Sequence, residues 1–262
     1  MFRRYALCFC LALGFGLPVL AQDSTEPPPP VAAPRVSVMA EELPRVGAVV
    51  VFGADQPLGR EMVKALAAAN KQVMAVLPEG ADRTPFAGLK VAVVSADPLA
   101  PDQLKTLFTS APVRAIVTAF DTAGERPAFG IDGTRNIIDA TKATNLPRLV
   151  LVSATGAGDS VALLPWYVKF LRGEAIAAAG TAEAYLKASG LDYTIVRAGW
   201  IIGEDATGAA AAALQDTAPV FSWIVPADLA RLVAGLVDTK AASGKTTTAL
   251  DSERTSLFSV IF

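Results

Sequence analysis

The stretch best suited to binding chemistry is a glycine-bounded turn that follows the apolar run 49–52. Gly53 and Gly59 bound the turn, and the residues between them are Ala54, Asp55, Gln56, Pro57 and Leu58. A helical pattern of apolar residues then runs from Leu58 to Leu66. The N-terminus of such a helix presents free N–H groups and a positive dipole end, which suit a pyrophosphate. The pattern therefore predicts a dinucleotide site formed by these turn residues, apart from Pro57, which has no N–H.

The amino-acid composition excludes several other kinds of active site. The chain contains no histidine, which excludes a histidine-based triad, a histidine general base and a histidine-ligated metal. Its two cysteines, Cys8 and Cys10, lie in an apolar leader, so the rest of the chain has no thiol nucleophile. Ser153 ends a predicted strand, where its hydroxyl can bond a substrate or cap the next segment.

Strand and helix patterns alternate along the chain and predict how these residues are positioned. The predicted strands are 46–52, 72–77, 91–95, 113–119, 148–153, 193–197 and 246–250. The predicted helices are 58–69, 101–110, 130–144, 173–189 and 227–238. Residues 207–213 are expected to form a mobile flap or a weak helix. Continuous apolar strands between amphipathic helices predict an α/β domain with a doubly wound, Rossmann-type parallel sheet.

The first 45 residues differ in composition from this domain. Residues 1–21 combine two arginines with an apolar run and are expected to be a secretory signal peptide. An uncleaved membrane anchor is the alternative, although the apolar run is short for a spanning helix. Residues 22–45 include four successive prolines and predict an extended linker, which leaves 46–262 as a single domain.

The leader and the charge balance together predict where the protein works. A signal peptide implies an exported protein, most simply in a bacterial periplasm, and a thiol-free domain fits an oxidising compartment. Arg3 and Arg4 also permit a twin-arginine route, by which a folded and cofactor-loaded protein is exported. Without these two residues the chain has 21 basic and 25 acidic residues, a net charge of −4. Nucleic-acid binding through a basic surface is therefore not expected.

Four motifs stand in a fixed order along the domain. They are GADQPLG at 53–59, SAD at 95–97, GTRNIIDA at 133–140 and EAYLKASGLDYTIVR at 183–197. They resemble motifs of the atypical short-chain dehydrogenase/reductases, in the branch of NmrA-like and flavin or biliverdin reductase-like proteins. The last motif matches almost residue for residue, and the resemblance covers residues 46 to about 250. It implies a Rossmann domain that binds NAD or NADP.

The resemblance implies further cofactor contacts at the ends of other predicted strands. It places Asp97 near the adenine and Ala119 at the end of the fourth strand, beside the cofactor. Glu79 follows Gly59 by 20 residues, a spacing suited to a carboxylate that holds the ribose 2′-hydroxyl, which favours NAD. Arg83 in the same loop keeps NADP open as the alternative. A solvated loop charge is the other interpretation of both residues, and it is favoured for Arg83.

Several positions depart from the family pattern and leave turnover open. Gln56 replaces the middle glycine of the turn, and Asp55 can cap the helix while repelling a phosphate. The Tyr-x-x-x-Lys pair of classical members is missing. Many atypical relatives carry a lysine four residues before the acid that corresponds to Glu183, and that position is Ala179 here. The alternative to an oxidoreductase is therefore a non-catalytic binding or assembly protein on the same scaffold.

Residues 163–171 form an unusually aromatic and apolar segment. The resemblance places this segment over the substrate pocket and implies a small planar substrate, with Ser153 and Tyr167 as candidate catalytic residues. Three interpretations stay open for the segment: a pocket lid, a membrane-surface patch over 166–171, and plain core. Core or lid is favoured over membrane contact. A partner protein is the further alternative for this surface.

Overall fold

The computed structural model describes residues 47–120, 129–203, 205–213 and 223–251. The strands in these residues are β1 (Ala48–Phe52), β2 (Val73–Leu77), β3 (Ala92–Ser95), β4 (Val113–Thr118), β5 (Leu149–Ala154), β6 (Tyr193–Ala198), β7 (Trp200–Ile201), β8 (Ala210–Ala213), β9 (Trp223–Ile224) and β10 (Lys245–Asp251). The α-helices are α1 (Pro57–Ala68), α2 (Pro101–Ser110), α3 (Thr134–Ala143), α4 (Trp166–Ala188) and α5 (Pro226–Leu236). The predicted signal peptide and linker lie outside the described residues and stay predictions.

One eight-stranded sheet organises the domain, in the order β3-β2-β1-β4-β5-β6-β10-β8. Neighbouring strands run parallel except at one edge, where β8 pairs antiparallel with β10. The order reverses between β1 and β4, and this switch point is where doubly wound sheets bind ligands. The predicted doubly wound α/β class is confirmed, with the antiparallel edge strand as a correction.

Helices cover both faces of the sheet, which explains the continuous apolar strands. In β1, Val49 and Val51 pack in one core cluster with residues of α1 and α5. Val50 and Phe52 point to the opposite cluster, which contains residues of α2, α3 and α4. All five β1 residues are buried, as a strand between two helical layers requires.

Two predicted elements were wrong. The α4 helix begins at Trp166, not at residue 173, because Pro165 stands in the N-cap position and the first two turns are already helical. Exposed apolar residues in those turns hide the helical period from the sequence pattern. Residues 210–213 form β8 and not a flap or a helix, because their backbone pairs with β10. Tertiary pairing therefore overrides the helix propensity of an alanine run.

Asp228, buried in the first turn of α5, holds the loop that leads into β8. Its carboxylate accepts the backbone N–H groups of Thr207 and Gly208 at 2.8 and 3.1 Å, and Arg231 pairs with it. The Thr207 hydroxyl donates to Asp251 of β10 at 2.7 Å. Two carboxylates, Asp228 and Asp251, thus attach the edge-strand loop to the body of the domain.

Asp228 predicts a pH dependence of stability. Burial raises the pKa of Asp228, but the N–H groups of Thr207 and Gly208 and the charge of Arg231 together lower it below its ordinary value. A lowered folded-state pKa gives stability that is complete above the unfolded pKa of about 4 and disappears as pH falls through the folded pKa. Asp228→Asn should therefore cost about 1–3 kcal/mol of unfolding free energy at pH 7, and less at pH 3.

Urea denaturation at pH 7 and pH 3 measures this difference. Glu174→Gln is the matched control, since Glu174 is an exposed carboxylate with no described partner, and it should leave stability unchanged at both pH values. An equal cost of Asp228→Asn at the two pH values would contradict the assignment of charge to Asp228.

Candidate functional site

The glycine turn between β1 and α1 can be built only with glycine at both ends. Gly53 has a φ of +78°, and a Cβ there would lie 2.7 Å from the carbonyl oxygen of Ala119. A Cβ at Gly59 would lie 2.0 Å from the carbonyl oxygen of Gly53. Ala54, between them, is fully buried in the core. The turn therefore packs tightly on the ends of β1 and β4, where predicted cofactor residues meet.

Two amides of the first turn of α1 remain for a phosphate. The Gln56 N–H bonds to the Gly53 carbonyl at 2.9 Å, Pro57 has no N–H, and the Arg60 N–H bonds to Gln56. The N–H groups of Leu58 and Gly59 are thus the first-turn donors without an intrahelical acceptor. These two N–H groups can donate hydrogen bonds to two oxygens of one phosphate, at the positive end of the helix dipole.

The substitutions in the turn do not block this arrangement. Gln56 adopts φ −94° and ψ 157°, an extended conformation open to any residue, so its position needs no glycine. Gln56 is the N-cap residue of α1, which corrects the expectation that Asp55 caps the helix. The carbonyl oxygen of Asp55 accepts a hydrogen bond from Arg60 at 2.9 Å. Residues of the turn therefore fit a dinucleotide phosphate.

A cleft of about 490 Å³ extends from this turn across the carboxyl edge of the sheet. Its walls come from the first turn of α1, the ends of β5 and β6, one face of α4 and the first residue of α5. The lining residues are Gln56, Pro57, Leu58, Phe120, Val152, Ser153, Ala154, Thr155, Val168, Arg172, Ala175, Ile176, Ala198, Gly199, Trp200, Ile201 and Pro226. The volume is within the usual range for a small-molecule site.

Ser153 stands in this cleft on top of a buried ion pair. Its hydroxyl donates to Glu183 Oε1 at 2.6 Å. Arg197 lies behind Glu183 and donates to both of its carboxylate oxygens, at 3.0 and 2.7 Å. Arg197 also reaches Asp159 at 2.5 Å, and both Arg197 and Glu183 are fully buried. Ser153 is therefore held by a carboxylate and is not a helix cap.

The charges of this network fix the direction of the Ser153 hydroxyl. Burial acts to lower the pKa of Arg197, but the hydrogen bonds to Glu183 and Asp159 outweigh it and raise the pKa. The Arg197 hydrogen bond lowers the pKa of Asp159. Because a carboxylate can only accept, Ser153 must give its proton to Glu183. Toward the cleft Ser153 then offers lone pairs and accepts a hydrogen bond.

Ala179 lies beside Ser153, at the position where many relatives carry lysine. The two residues and Thr118 line a cavity of about 10 Å³, close to the space of one water molecule. The hydroxyl of Thr118 is buried there and has no hydrogen-bond partner among the described residues. The space next to Ser153 is thus small and partly polar, and the described residues that line it carry no charge.

The predicted coenzyme-selecting residues lie at the ends of β2 and β3. The Asp97 carboxylate accepts the Leu99 N–H at 2.8 Å and so shapes the loop before α2. Arg83 donates to the Ser95 hydroxyl at 3.1 Å, and Glu79 is exposed in the loop after β2. Both charges lie at the sheet edge where the adenosine half of a dinucleotide binds in such folds.

The aromatic segment is helical and largely exposed. Trp166, Phe170 and Leu171 are 79%, 83% and 67% exposed, so plain core was wrong for these residues. Tyr167 packs edge-to-face on Trp166 at 6.1 Å and is not among the residues that line the cleft, whereas the buried Val168 is. In the part of the chain that the structure describes, no helix is both long and apolar enough to cross a bilayer. We call Trp166, Tyr167, Phe170 and Leu171 the exposed apolar patch.

Three site features were missed by sequence reasoning. Glu183 and Arg197 entered the sequence analysis only as parts of a family motif, and Arg172 did not enter it. The signal for the ion pair was two oppositely charged residues in otherwise apolar surroundings, because a buried charge needs a partner. No sequence signal pointed Arg172 toward the cleft, since that depends on where α4 begins.

Comparison with known proteins agrees with this geometry. The model of the NAD(P)H-binding family matches residues 53–240. An uncharacterized chloroplast protein of Arabidopsis thaliana is 31% identical in an alignment of 193 positions that covers 68% of each chain. The anaerobilin reductase ChuY of Escherichia coli O157:H7 superposes with a TM-score of 0.68 at 23% identity, covering 79% of this chain and 98% of ChuY. A Veillonella parvula short-chain dehydrogenase/reductase in complex with NADP has a TM-score of 0.66 at 12% identity, covering 79% and 96%.

The chain belongs to the NAD(P)H-binding family, since the family model spans most of the domain. The predicted resemblance is confirmed at the level of the NAD(P)H-binding family and of the fold, which solved structures at 20–24% identity share. The cofactor of this fold is a nicotinamide dinucleotide.

Proposed function

We propose that this protein is an exported oxidoreductase that binds NAD(P)H and acts on a small planar substrate. The observation that carries the proposal is the continuous cleft, which joins the phosphate-suited turn at Gln56 to Ser153 and Trp200. A cofactor whose phosphates lie at the turn has room to extend along the cleft to the end of β5. The remaining, mostly apolar space suits a substrate next to it.

The residues of this chain can hold the cofactor and orient a substrate. The N–H groups of Leu58 and Gly59 would bind a phosphate, and Gly53 and Gly59 allow the close approach. The bound nicotinamide supplies hydride chemistry. Ser153, fixed by Glu183, accepts a hydrogen bond from a donor group of the ligand. Tyrosine, lysine and carboxylate side chains are absent from the described lining, so a transferred proton comes from the ligand or from water.

Export and coenzyme preference are further parts of the proposal. The leader in 1–21 supports an exported, periplasmic location. Export through a twin-arginine route would allow the cofactor to bind before transport. Glu79 supports NAD as the coenzyme, and the NADP complex of the Veillonella parvula neighbour supports the alternative.

Coenzyme binding through the turn predicts a charge effect at Gln56. A coenzyme at about 100 times its dissociation constant should add roughly 2.7 kcal/mol to the unfolding free energy. Gln56→Glu keeps the size of the side chain but puts a negative charge beside the phosphate site, so the affinity should fall about tenfold. Thermal unfolding with millimolar NAD⁺, NADH, NADP⁺ and NADPH measures both effects and shows which coenzyme is preferred.

Gln72→Glu is the matched control, because it makes the same change at an exposed position just before β2. It should bind coenzyme as the unchanged protein does. If none of the four coenzymes stabilises a cooperatively unfolding protein, the reductase proposal is wrong. If Gln56→Glu binds as tightly as the control, the phosphate lies elsewhere.

The exposed apolar patch supports a second candidate function, a non-catalytic binding protein on the same scaffold. Phe170 and Leu171 are too exposed to stabilise the fold through burial and would be covered in a complex. Oxidation of NADH or NADPH with quinone, flavin or dye acceptors separates the two functions. Steady turnover with any acceptor supports the oxidoreductase, whereas coenzyme binding without turnover supports the binding protein.

A further inference from the structure

Arg172 is a cation that forms no ion pair with any residue that the structure describes. It lies on the face of α4 that lines the cleft. Its guanidinium carbon is 5.5 Å from the ring centroid of Trp200, within the range of a cation–π contact. The stacked ring therefore orients the guanidinium without neutralising its charge.

Among the described residues that line the cleft, Arg172 is also the one that carries a charge. The other described lining residues are apolar or neutral, and none is an aspartate or glutamate. The first turn of α1, at Pro57 and Leu58, adds the positive end of a helix dipole to the same space. Every fixed charge along the described lining thus favours an anion.

Two tryptophans hold this end of the cleft in place. Trp200 and Trp223 pack edge-to-face with centroids 5.7 Å apart, and their strands β7 and β9 pair with each other. Arg172 thus stacks on a ring that is itself fixed by a neighbouring ring. A preorganised guanidinium loses less conformational entropy when it binds a carboxylate and can pair with it through two parallel hydrogen bonds.

We propose that Arg172 makes the cleft selective for planar organic anions, pairing with a carboxylate or similar group on the ligand. The apolar side chains of Val168, Ile176 and Ile201 line the same region and would contact the body of such a ligand. This inference rests on the proposed function for the position of the substrate. It adds that the substrate is an anion and that Arg172 binds its charged group.

Two fluorescent probes that differ mainly in charge test the inference on the purified protein. 1-Anilinonaphthalene-8-sulfonate is an anion, and N-phenyl-1-naphthylamine has nearly the same aromatic body without the sulfonate. Arg172→Gln should weaken binding of the anion about tenfold and change binding of the neutral probe less than twofold. Arg172→Lys should restore part of the lost affinity, since it keeps the charge but not the planar fork.

Two control variants separate the cleft from the rest of α4. Lys169→Gln removes an exposed cation that is on the same helix but is not among the residues that line the cleft. Phe170→Ala reduces the exposed apolar patch. Neither should change binding of the anionic probe. The inference is wrong if the unchanged protein does not bind the anionic probe, or if Arg172→Gln binds it as tightly. It is also wrong if Arg172→Gln loses affinity for both probes equally, or if either control loses affinity for the anionic probe.

Coenzyme titration of the same variants keeps the two proposals distinguishable. NADH or NADPH titration tests the phosphate-suited turn, because the N–H groups of Leu58 and Gly59 are unchanged in Arg172→Gln. Charge-selective probe binding without any coenzyme binding would support Arg172 and contradict the proposed reductase. Coenzyme binding without charge-selective probe binding would support the proposed reductase and contradict the role of Arg172.

Discussion

Replacing Arg197 with methionine is expected to lower the unfolding free energy by about 3–5 kcal/mol. The change leaves the Glu183 carboxylate fully buried without the two hydrogen bonds that compensate its charge. It also removes the ion pair between Arg197 and Asp159. Urea denaturation at pH 7 measures the loss.

Lys187→Met is the matched control for this prediction. Lys187 is 3.8 Å from the same Glu183 carboxylate but is partly exposed, so its removal should cost less than about 1 kcal/mol. The double variant Glu183→Leu/Arg197→Met should recover much of the stability, because it removes both buried charges together. A double variant as unstable as Arg197→Met alone would show that the unpaired charge is not the cause.

Gly59→Ala should be the most damaging small change in the turn, costing more than about 3 kcal/mol. The added Cβ would lie 2.0 Å from the carbonyl oxygen and 2.5 Å from the carbonyl carbon of Gly53. Both are backbone atoms, which cannot rotate away as a flexible side chain would. The helix must therefore move off β1, which opens the core and displaces the amides of Leu58 and Gly59.

Gly173→Ala makes the same substitution in α4, where nothing lies within 4 Å of the added Cβ. It should stabilise the protein by about 0.5–1 kcal/mol, because alanine favours a helix more than glycine does. Urea denaturation and NADH titration of both variants measure the contrast. Gly59→Ala with native stability and native coenzyme affinity would mean that the turn is more open than the structure shows.

Most of the fold could be predicted from local patterns. The β1 residues form a short apolar run and α2 begins at a proline, so β1 and α2 were predicted within two residues of their observed bounds. The first turns of α4 could not be predicted from local patterns, because Trp166 and Phe170 expose their apolar side chains and break the amphipathic period. Likewise β8 is an alanine run that becomes a strand only through pairing with β10.

The candidate site also combines features that the sequence predicts with features that it does not predict. The glycine turn is a local feature, since a positive φ at Gly53 and a close contact at Gly59 can be read from the spacing of two glycines. The hydrogen bond of Ser153 to Glu183 joins residues 30 positions apart, and Arg172 meets Trp200 only across the cleft. Such contacts depend on how α4 packs against the ends of β5 and β6.

The sequence by itself determined the class of protein, the order of its elements and the position of the phosphate-suited turn. The class follows from the resemblance of four motifs to a known family. The order of elements and the turn follow from hydrophobic periodicity and glycine stereochemistry, which act over a few residues. Only the tertiary structure decided that Ser153 faces the cleft as an acceptor, that Arg172 gives the cleft its charge and that the aromatic segment is exposed. These properties depend on burial and on the direction of side chains, which are fixed when distant segments pack together.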